Sequence, residues 1–400
     1  MRTVRRIRAY FGGVVKFLFH SVGMLLFKPL IGAADPRSLD RQAPRKILYV
    51  CLAYRGDFVI NFPAICALRK HFQNSHITCW VRGFNESLAR MNPDIGEVIV
   101  YDDFSSNPIR TIIESMVGRR HLGFVKGLRL FDIYMDDSGY AFTALAGFLA
   151  KIPLRVGRNF QGLGFLNHFE VPLDQNSQLI ERRLKLLKVF GVNLSLDDIP
   201  KPYFKVDANV RDAILRQYGL SHLNYFTVQP FAGWEAKNWG MDRYVRTATI
   251  FASRSGLQPV FVGSASEKSA IDGELREFQC DAVNLAGTAG LDQAAIIISG
   301  SSLHMGGDSI GGHLAAAFNV PSVTIFGPTN PHLSAYLGGR NVGVFKKTQC
   351  TPKRDRIYCC FDAGRGCPRI SCMKELSEDD VLRVLIDVWT GKEQRPVVEL

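Results

Sequence analysis

Four loops carry residue types that handle phosphates and hydroxyls. The first is Gln229 to Trp239, reading Gln-Pro-Phe-Ala-Gly-Trp-Glu-Ala-Lys-Asn-Trp. It presents one lysine, Lys237, between Trp234 and Trp239. Such a lysine can set a point charge on a phosphate. It reads equally as a solvated surface lysine, with the two tryptophans in the core. The second is Gly306 to Ala317, Gly-Gly-Asp-Ser-Ile-Gly-Gly-His-Leu-Ala-Ala-Ala. Glycines leading into a small-residue helix let a ligand approach the backbone. The N–H groups and dipole of a helix start favour phosphate. Asp308, Ser309, Gly311, Gly312 and His313 are the candidates there, although His313 alone reads as readily as a structural histidine. The spacing is neither a P-loop nor a dinucleotide fingerprint.

The third loop, Gly263-Ser264-Ala265-Ser266-Glu267, offers a carboxylate that could hold ribose hydroxyls. Glu267 could instead cap a helix. The fourth, Leu52-Ala53-Tyr54-Arg55-Gly56-Asp57, follows an apolar run and reads as a glycine turn with an aspartate at a helix start. Asp57 could serve as a general base at the rim of a cleft. An aspartate at that position is also an ordinary N-cap.

Each loop needs a strand before it and a helix after it. Lys46 to Leu52 is a continuous apolar run, as expected of a parallel strand buried on both faces. A helix is expected over Phe58–His71, with Pro63 early in it. Strands are expected at Ile77–Val81, Glu97–Tyr101, Phe131–Met135 and Leu154–Val156, with a helix over Tyr140–Ala150. Residues 191–207, with Pro200 and Pro202, read as a linker. Alternation then resumes. Strands are expected at Tyr225–Gln229, Pro259–Val262, near Leu303 and at Ser322–Phe326. Helices are expected at Asp242–Ser255, Glu267–Phe278, Leu291–Ser299 and Gly311–Phe318. The pattern predicts an α/β protein with two Rossmann-like doubly wound domains facing across a cleft. The expected division is an extension at 1–44, a domain at 45–200 and a second at 201–400 with a Cys-rich tail.

Composition bounds the function class. Of 400 residues, 46% are hydrophobic and 22% charged, which excludes a disordered chain. Of the net charge of +12, +8 lies in residues 1–46, so a nucleic-acid footprint over the body is not supported. Phe11 to Ile31 is apolar but interrupted by Lys16, His20 and Lys28. That pattern disfavours a spanning helix and fits a basic amphipathic helix on an anionic membrane face. A surface helix docked on the protein's own body is the plainer alternative. Five of nine cysteines fall between Cys350 and Cys372 without a C-x2-C pair, which favours structural thiols, or disulfides under oxidation, over a metal cluster.

Taken together, these motifs resemble glycosyltransferase family 9, the bacterial heptosyltransferases of the lipopolysaccharide core. The resemblance rests on Pro63-Ala64-Ile65-Cys66-Ala67-Leu68-Arg69, on Lys237-Asn238-Trp239, on Gly263 to Glu267, on Asp308 to Ala317, and on Phe326-Gly327-Pro328-Thr329. It covers roughly residues 45–390. It departs at Ala53 and Tyr54, where the family has serines, at Ile310, where it has glycine, and at Gly240, where it has proline.

The resemblance implies a two-domain glycosyltransferase B fold. It implies an inverting transfer with no metal and no cofactor. The donor is a nucleotide sugar, foremost ADP-heptose. The acceptor is an anionic lipid-linked saccharide at the cytoplasmic membrane surface. The enzyme would then be cytoplasmic and peripheral on the inner membrane face, with no nucleic-acid partner. Asp57 would act as base and Arg55 would contact the acceptor. Lys237 and the residues from Asp308 to His313 would meet the phosphates, and Glu267 the nucleoside. The alternative is a non-catalytic nucleotide-sugar or phosphosugar binding protein on the same fold, which has no use for Asp57.

Overall fold

The computed structural model describes residues 20–400 except 27, 30, 38, 44, 104–118, 173, 175–176, 196–197, 199–205, 335–339, 352–356, 360–366 and 368. The chain alternates strand and helix from Lys46. After β1 (Lys46–Cys51) come α1 (Arg55–Val59), α2 (Phe62–His71), β2 (His76–Val81), β3 (Glu97–Val100), β4 (Ile133–Asp136), α3 (Ala141–Leu149), β5 (Leu154–Gly157) and β6 (Phe169–Glu170). The second series is β7 (Tyr225–Gln229), α4 (Met241–Ser255), β8 (Gln258–Phe261), β9 (Val283–Asn284), β10 (His304–Gly307), α5 (Ile310–Ala317), β11 (Ser322–Phe326), β12 (Asn341–Phe345), α6 (Glu378–Trp389) and β13 (Val397–Glu399).

Two all-parallel sheets result. The first has the order β3-β2-β1-β4-β5-β6, the second β13-β12-β11-β10-β7-β8-β9. The chain divides into two compact units. One comprises Met1–Tyr54, Pro63–Asp174 and Arg182–Leu194. The other comprises Arg55–Phe62, Gln175–Glu181 and Ser195–Leu400. The short piece carrying α1 therefore belongs with the second sheet. Much of the expected linker at 191–207 lies outside the described residues.

In the first unit, Ile47 to Cys51 are all fully buried, so β1 shows no polar alternation. Leu48, Val50, Trp80, Tyr134 and Phe142 form its core. Each such side chain contributes about 1.5–3 kcal/mol by leaving water. In the second unit, α4 turns Tyr244, Val245, Ala248 and Phe251 onto the sheet, where they meet Phe226, Phe261 and residues of α6.

One expected helix is two. Pro63 cannot donate a backbone hydrogen bond and its ring crowds the turn before it. The helix therefore stops at Val59 and restarts at Phe62, with Pro63 in its first turn. Asn61 Nδ2 donates to the Asp57 carbonyl at 2.8 Å across the break.

The N-terminal extension is described only from residue 20. Residues 20–26 are helical and meet the rest of the first unit through His20 and Gly23. His20 lies 3.5 Å from Glu170, and Lys28 Nζ donates to the carbonyls of Asn167 and His168 at 2.7 Å each. Burial lowers the Lys28 pKa. Gly23 lies so close to the Phe165 ring that a Cβ there would fall 2.2 Å from it. Val22, Met24, Leu25 and Leu26 face outward and are exposed. Residues 1–19, including Lys16, lie outside the described residues. No helix among the described residues is long and apolar enough to cross a membrane.

Cys51, Cys66, Cys79, Cys280, Cys350, Cys367 and Cys372 are free thiols, and Cys360 lies outside the described residues. Burial, then the nearby Cys350 and Cys359, push the Cys372 thiol up to about 12. Among the described residues no group of His, Cys, Asp and Glu is placed to hold a metal ion.

Candidate active site

In the second sheet β11, β10 and β7 are neighbours. Their strands end at Phe326, Gly307 and Gln229, and the loops beyond carry Thr329, Asp308 and Lys237. Parallel order thus gathers residues 71 and 21 positions apart in sequence. Lys237 Nζ is 2.6 Å from Asp308 Oδ2 and also donates to the Asp308 carbonyl at 3.4 Å. Thr329 Oγ1 donates to the same carboxylate at 2.6 Å. The Trp234 ring lies under the ammonium, 4.5 Å from centroid to Nζ. Burial alone would raise the Asp308 carboxyl, but Lys237 and the Lys237 and Thr329 hydrogen bonds hold it below the usual carboxylate range.

An ammonium has three donors. Asp308 takes two of those of Lys237, one of them long, and the side chain stays 15% exposed. A bound anion could take the third. Asp308 is thus a holder of the lysine, since a carboxylate would repel phosphate.

The next helix, α5, starts at Ile310 with Ser309 as its extended N-cap residue. A helix start leaves its first N–H groups without intrahelical acceptors. Gln229 Oε1 already takes the Gly311 N–H at 2.7 Å. A Cβ on Gly311 would fall 2.4 Å from that oxygen and 2.6 Å from the His304 ring, so close approach requires glycine here. Gly306 and Gly307, expected in a loop, are the last residues of β10.

Gly312 and His313 are buried in the first turn of α5. Burial pushes His313 down to about 3 against the pull of Asp308, so its imidazole is neutral. The buried His304 is likewise pushed down to about 3, and its Nδ1 lies 2.9 Å from Thr227 Oγ1.

The helix α1 rests on α5. Gly56 is the contact: a Cβ there would lie 3.0 Å from the His313 ring. The expected glycine turn is therefore absent, and Gly56 and Asp57 are helical residues of α1. Asp57 is half-buried in the first turn, and Arg55 is exposed at the helix start.

Glu267 stands apart on the loop after β8. Its Oε2 accepts from Ser264 N–H at 2.8 Å, closing a capping box before the following helix. The capping role expected as its alternative is thus in place.

Thr329, Gln229 and His304 were not legible as site residues. Thr329 sits in a motif whose chemistry is silent until the strand order is known. The two tryptophans also differ. Trp239 is core and donates Nε1–H to the Leu376 carbonyl at 2.8 Å. Trp234 is half-buried, between Lys237 and the Tyr358 ring at 5.3 Å. Gly240 has φ +122°, a left-handed conformation open to glycine and closed to the proline of the related pattern.

Known proteins share this arrangement of sequence and fold. Residues 125–360 match the family model described as glycosyltransferase family 9 (heptosyltransferase). Lipopolysaccharide heptosyltransferase 2 of Escherichia coli K12 is 27% identical over 301 residues, covering 72% of this chain and 84% of its own. A glycosyl transferase family 9 structure from Veillonella parvula superposes with a TM-score of 0.71 at 19% identity, covering 90% of this chain and 100% of that one. The structure of E. coli ADP-heptose LPS heptosyltransferase II gives a TM-score of 0.69 at 22% identity, covering 87% and 99%. Both likenesses are of fold: two Rossmann-like α/β units, the glycosyltransferase B architecture.

Proposed function

Because this chain belongs to glycosyltransferase family 9, we propose that it moves a heptosyl group from ADP-heptose onto a lipopolysaccharide core or related lipid-linked glycan, with inversion at the anomeric carbon. The observation that carries this reading is the Lys237–Asp308–Thr329 set on three neighbouring strand ends, beside a helix start. The Asp57 carboxylate takes the proton of the acceptor hydroxyl. The hydroxyl oxygen attacks the anomeric carbon as the bond from that carbon to the diphosphate oxygen breaks. The nucleoside diphosphate leaves with the bonding electrons. Lys237 and N–H groups at the start of α5 meet its growing negative charge, an arrangement worth most where water is excluded. This protein-supplied charge is why the reading expects no metal. Glu267 is assigned to the nucleoside and Arg55 to the acceptor.

The neutral His313 ties the two halves of this chemistry together. It lies on α5 against Gly56, so the helix carrying Asp57 rests on the helix that receives phosphate. The test is turnover. The full chain, ADP-heptose and a de-O-acylated core oligosaccharide from a heptose-deficient strain should yield ADP and a heptosylated product by mass spectrometry. Failure with ADP-heptose, alongside turnover of another nucleotide sugar, would overturn the donor assignment.

The reading includes a peripheral site on the cytoplasmic face of the membrane. Residues 20–26 dock by His20 while Val22, Leu25 and Leu26 face solvent, and the basic residues of the extension add electrostatic attraction. The full chain should sediment with anionic vesicles and be partly released by salt, whereas a chain starting at Arg45 should not sediment. Equal partitioning of the two would contradict it.

A further inference from the structure

The carboxyl edge of the first sheet carries aromatic side chains that no step above uses. Tyr54 follows β1 and is 72% exposed. Its ring stacks on Phe84, which follows β2, with centroids 6.1 Å apart and planes within 10°. The Arg82 guanidinium lies 5.7 Å from the Tyr54 ring and 5.8 Å from the Phe84 ring. The two loops are fastened together: buried Asn85 donates from Nδ2 to the Ala53 carbonyl at 2.9 Å. Farther along the edge, Phe160 follows β5 and is 54% exposed, edge-on to Tyr140 at 5.7 Å. Strand order β2-β1-β4-β5 therefore sets aromatic residues along one edge of a parallel sheet, the edge at which such sheets receive ligands.

One exposed ring needs no explanation, but two stacked rings with a guanidinium beside both, at the carboxyl ends of the strands, form a grouped surface whose chemistry narrows the ligand. A pyranose has an apolar C–H face whose hydrogens carry partial positive charge, the complement of the negative face of an aromatic ring. A guanidinium at the rim matches a phosphate or carboxylate bidentately. We infer that Tyr54, Phe84 and Arg82 form a platform for the acceptor, on which one pyranose stacks while Arg82 pairs with a phosphate substituent of that saccharide. The inference rests on the acceptor reading above. It assigns specificity to Tyr54, which stands where the related pattern has serine, and so makes this subsite a property of this chain.

The test reads binding without turnover, so that its failure is separable from failure of the transfer reaction. The probe is the de-O-acylated core oligosaccharide, used native and after phosphatase treatment, against the full chain without donor. Tyr54→Ala should weaken binding of both forms by about tenfold, the scale of one lost stacking contact, and Tyr54→Phe should restore it. Arg82→Gln should weaken the phosphorylated form by about tenfold and leave the dephosphorylated form unchanged. Affinity for ADP-heptose should not move in any variant. In turnover, Tyr54→Ala should raise acceptor KM with kcat retained. The platform is overturned if Tyr54→Ala binds oligosaccharide like the native chain, if ADP-heptose affinity falls in parallel, or if the variant loses vesicle binding while keeping the saccharide. Binding that behaves as stated without any turnover would count against the transfer reaction alone.

Discussion

The two sheets end in surfaces of opposite kind. Beyond the second, polar and charged side chains are bonded to one another or to backbone: Lys237 to Asp308, Thr329 to Asp308, Gln229 to the helix start. Beyond the first, the rings of Tyr54 and Phe160 lie open to solvent. A diphosphate carries the same charge on any sugar, so fixed charge can be arranged for it in advance. Saccharides vary in their hydroxyls, and a stacking face tolerates that variation. The first unit also contains buried charge, which sharpens the contrast. Asp137 pairs with Arg158 at 2.7 Å and with Arg183 at 3.2 Å, and the side chains of Asp137 and Arg158 are only 2% and 1% exposed. Those ions hold loops together. Lys237 differs in being 15% exposed, with two of its three ammonium donors on Asp308.

The largest expected effects test that difference. Lys237→Ala should lower stability by ~3–5 kcal/mol, because it strands the buried Asp308 carboxylate. Adding Asp308→Asn should recover much of the loss in denaturant unfolding. Arg158→Ala should cost a similar ~3–5 kcal/mol, yet the folded fraction should bind ADP as the native chain does. Loss of ADP binding in the folded Arg158 variant would erase the distinction between the two ion pairs.

Next is Asp57→Asn, which should cut turnover by roughly 100-fold or more while leaving ADP-heptose affinity intact. Unchanged turnover would leave Asp57 as a plain first-turn helix residue. Gly311→Ala comes third. Its Cβ must displace Gln229 or His304, so a loss of about 1–3 kcal/mol is expected, seen as a lower Tm and weaker ADP binding. A variant with native Tm would show that α5 tolerates a side chain at its start.

The smallest effect per step is in pH. His304 and His313 titrate near 3 when folded, each pushed down chiefly by burial. The unfolded chain binds protons at these histidines below about 6.5. Stability is therefore full above that pH and falls as pH drops toward 3, by about 1.4 kcal/mol per pH unit for each histidine. In His304→Asn the slope of unfolding free energy between pH 6.5 and 5 should lose one proton. An unchanged slope would mean that His304 is protonated in the folded state.

The fold was legible where an apolar run marks a strand buried on both faces, as in β1, and where β-branched and aromatic residues dominate a short segment, as in β7 and β11. It was not legible in β9 and β13, two and three residues long, nor in β12, whose Gly343 interrupts the pattern. Pro63 was placed early in one expected helix, and the break it makes after Val59 was missed. At the site, Lys237 and Asp308 stood out by residue type in glycine-rich loops. Their pairing did not, because it depends on β10 lying beside β7. Thr329 and Gln229 are invisible for the same reason. Tyr54 was visible only as a departure from a pattern, and its meaning came from the ring of Phe84 thirty residues on.

If Lys237, held by Asp308, receives the diphosphate of the donor, it must separate ADP from adenosine. Calorimetric titration of both into the native chain and into Lys237→Ala measures this directly. The native chain should bind ADP far more tightly than adenosine, and the variant should lose most of this preference, roughly 100-fold by the scale of one buried charge-stabilising donor, with adenosine affinity unchanged. Equal weakening of ADP and adenosine would contradict it and reduce Lys237 to a structural partner of Asp308.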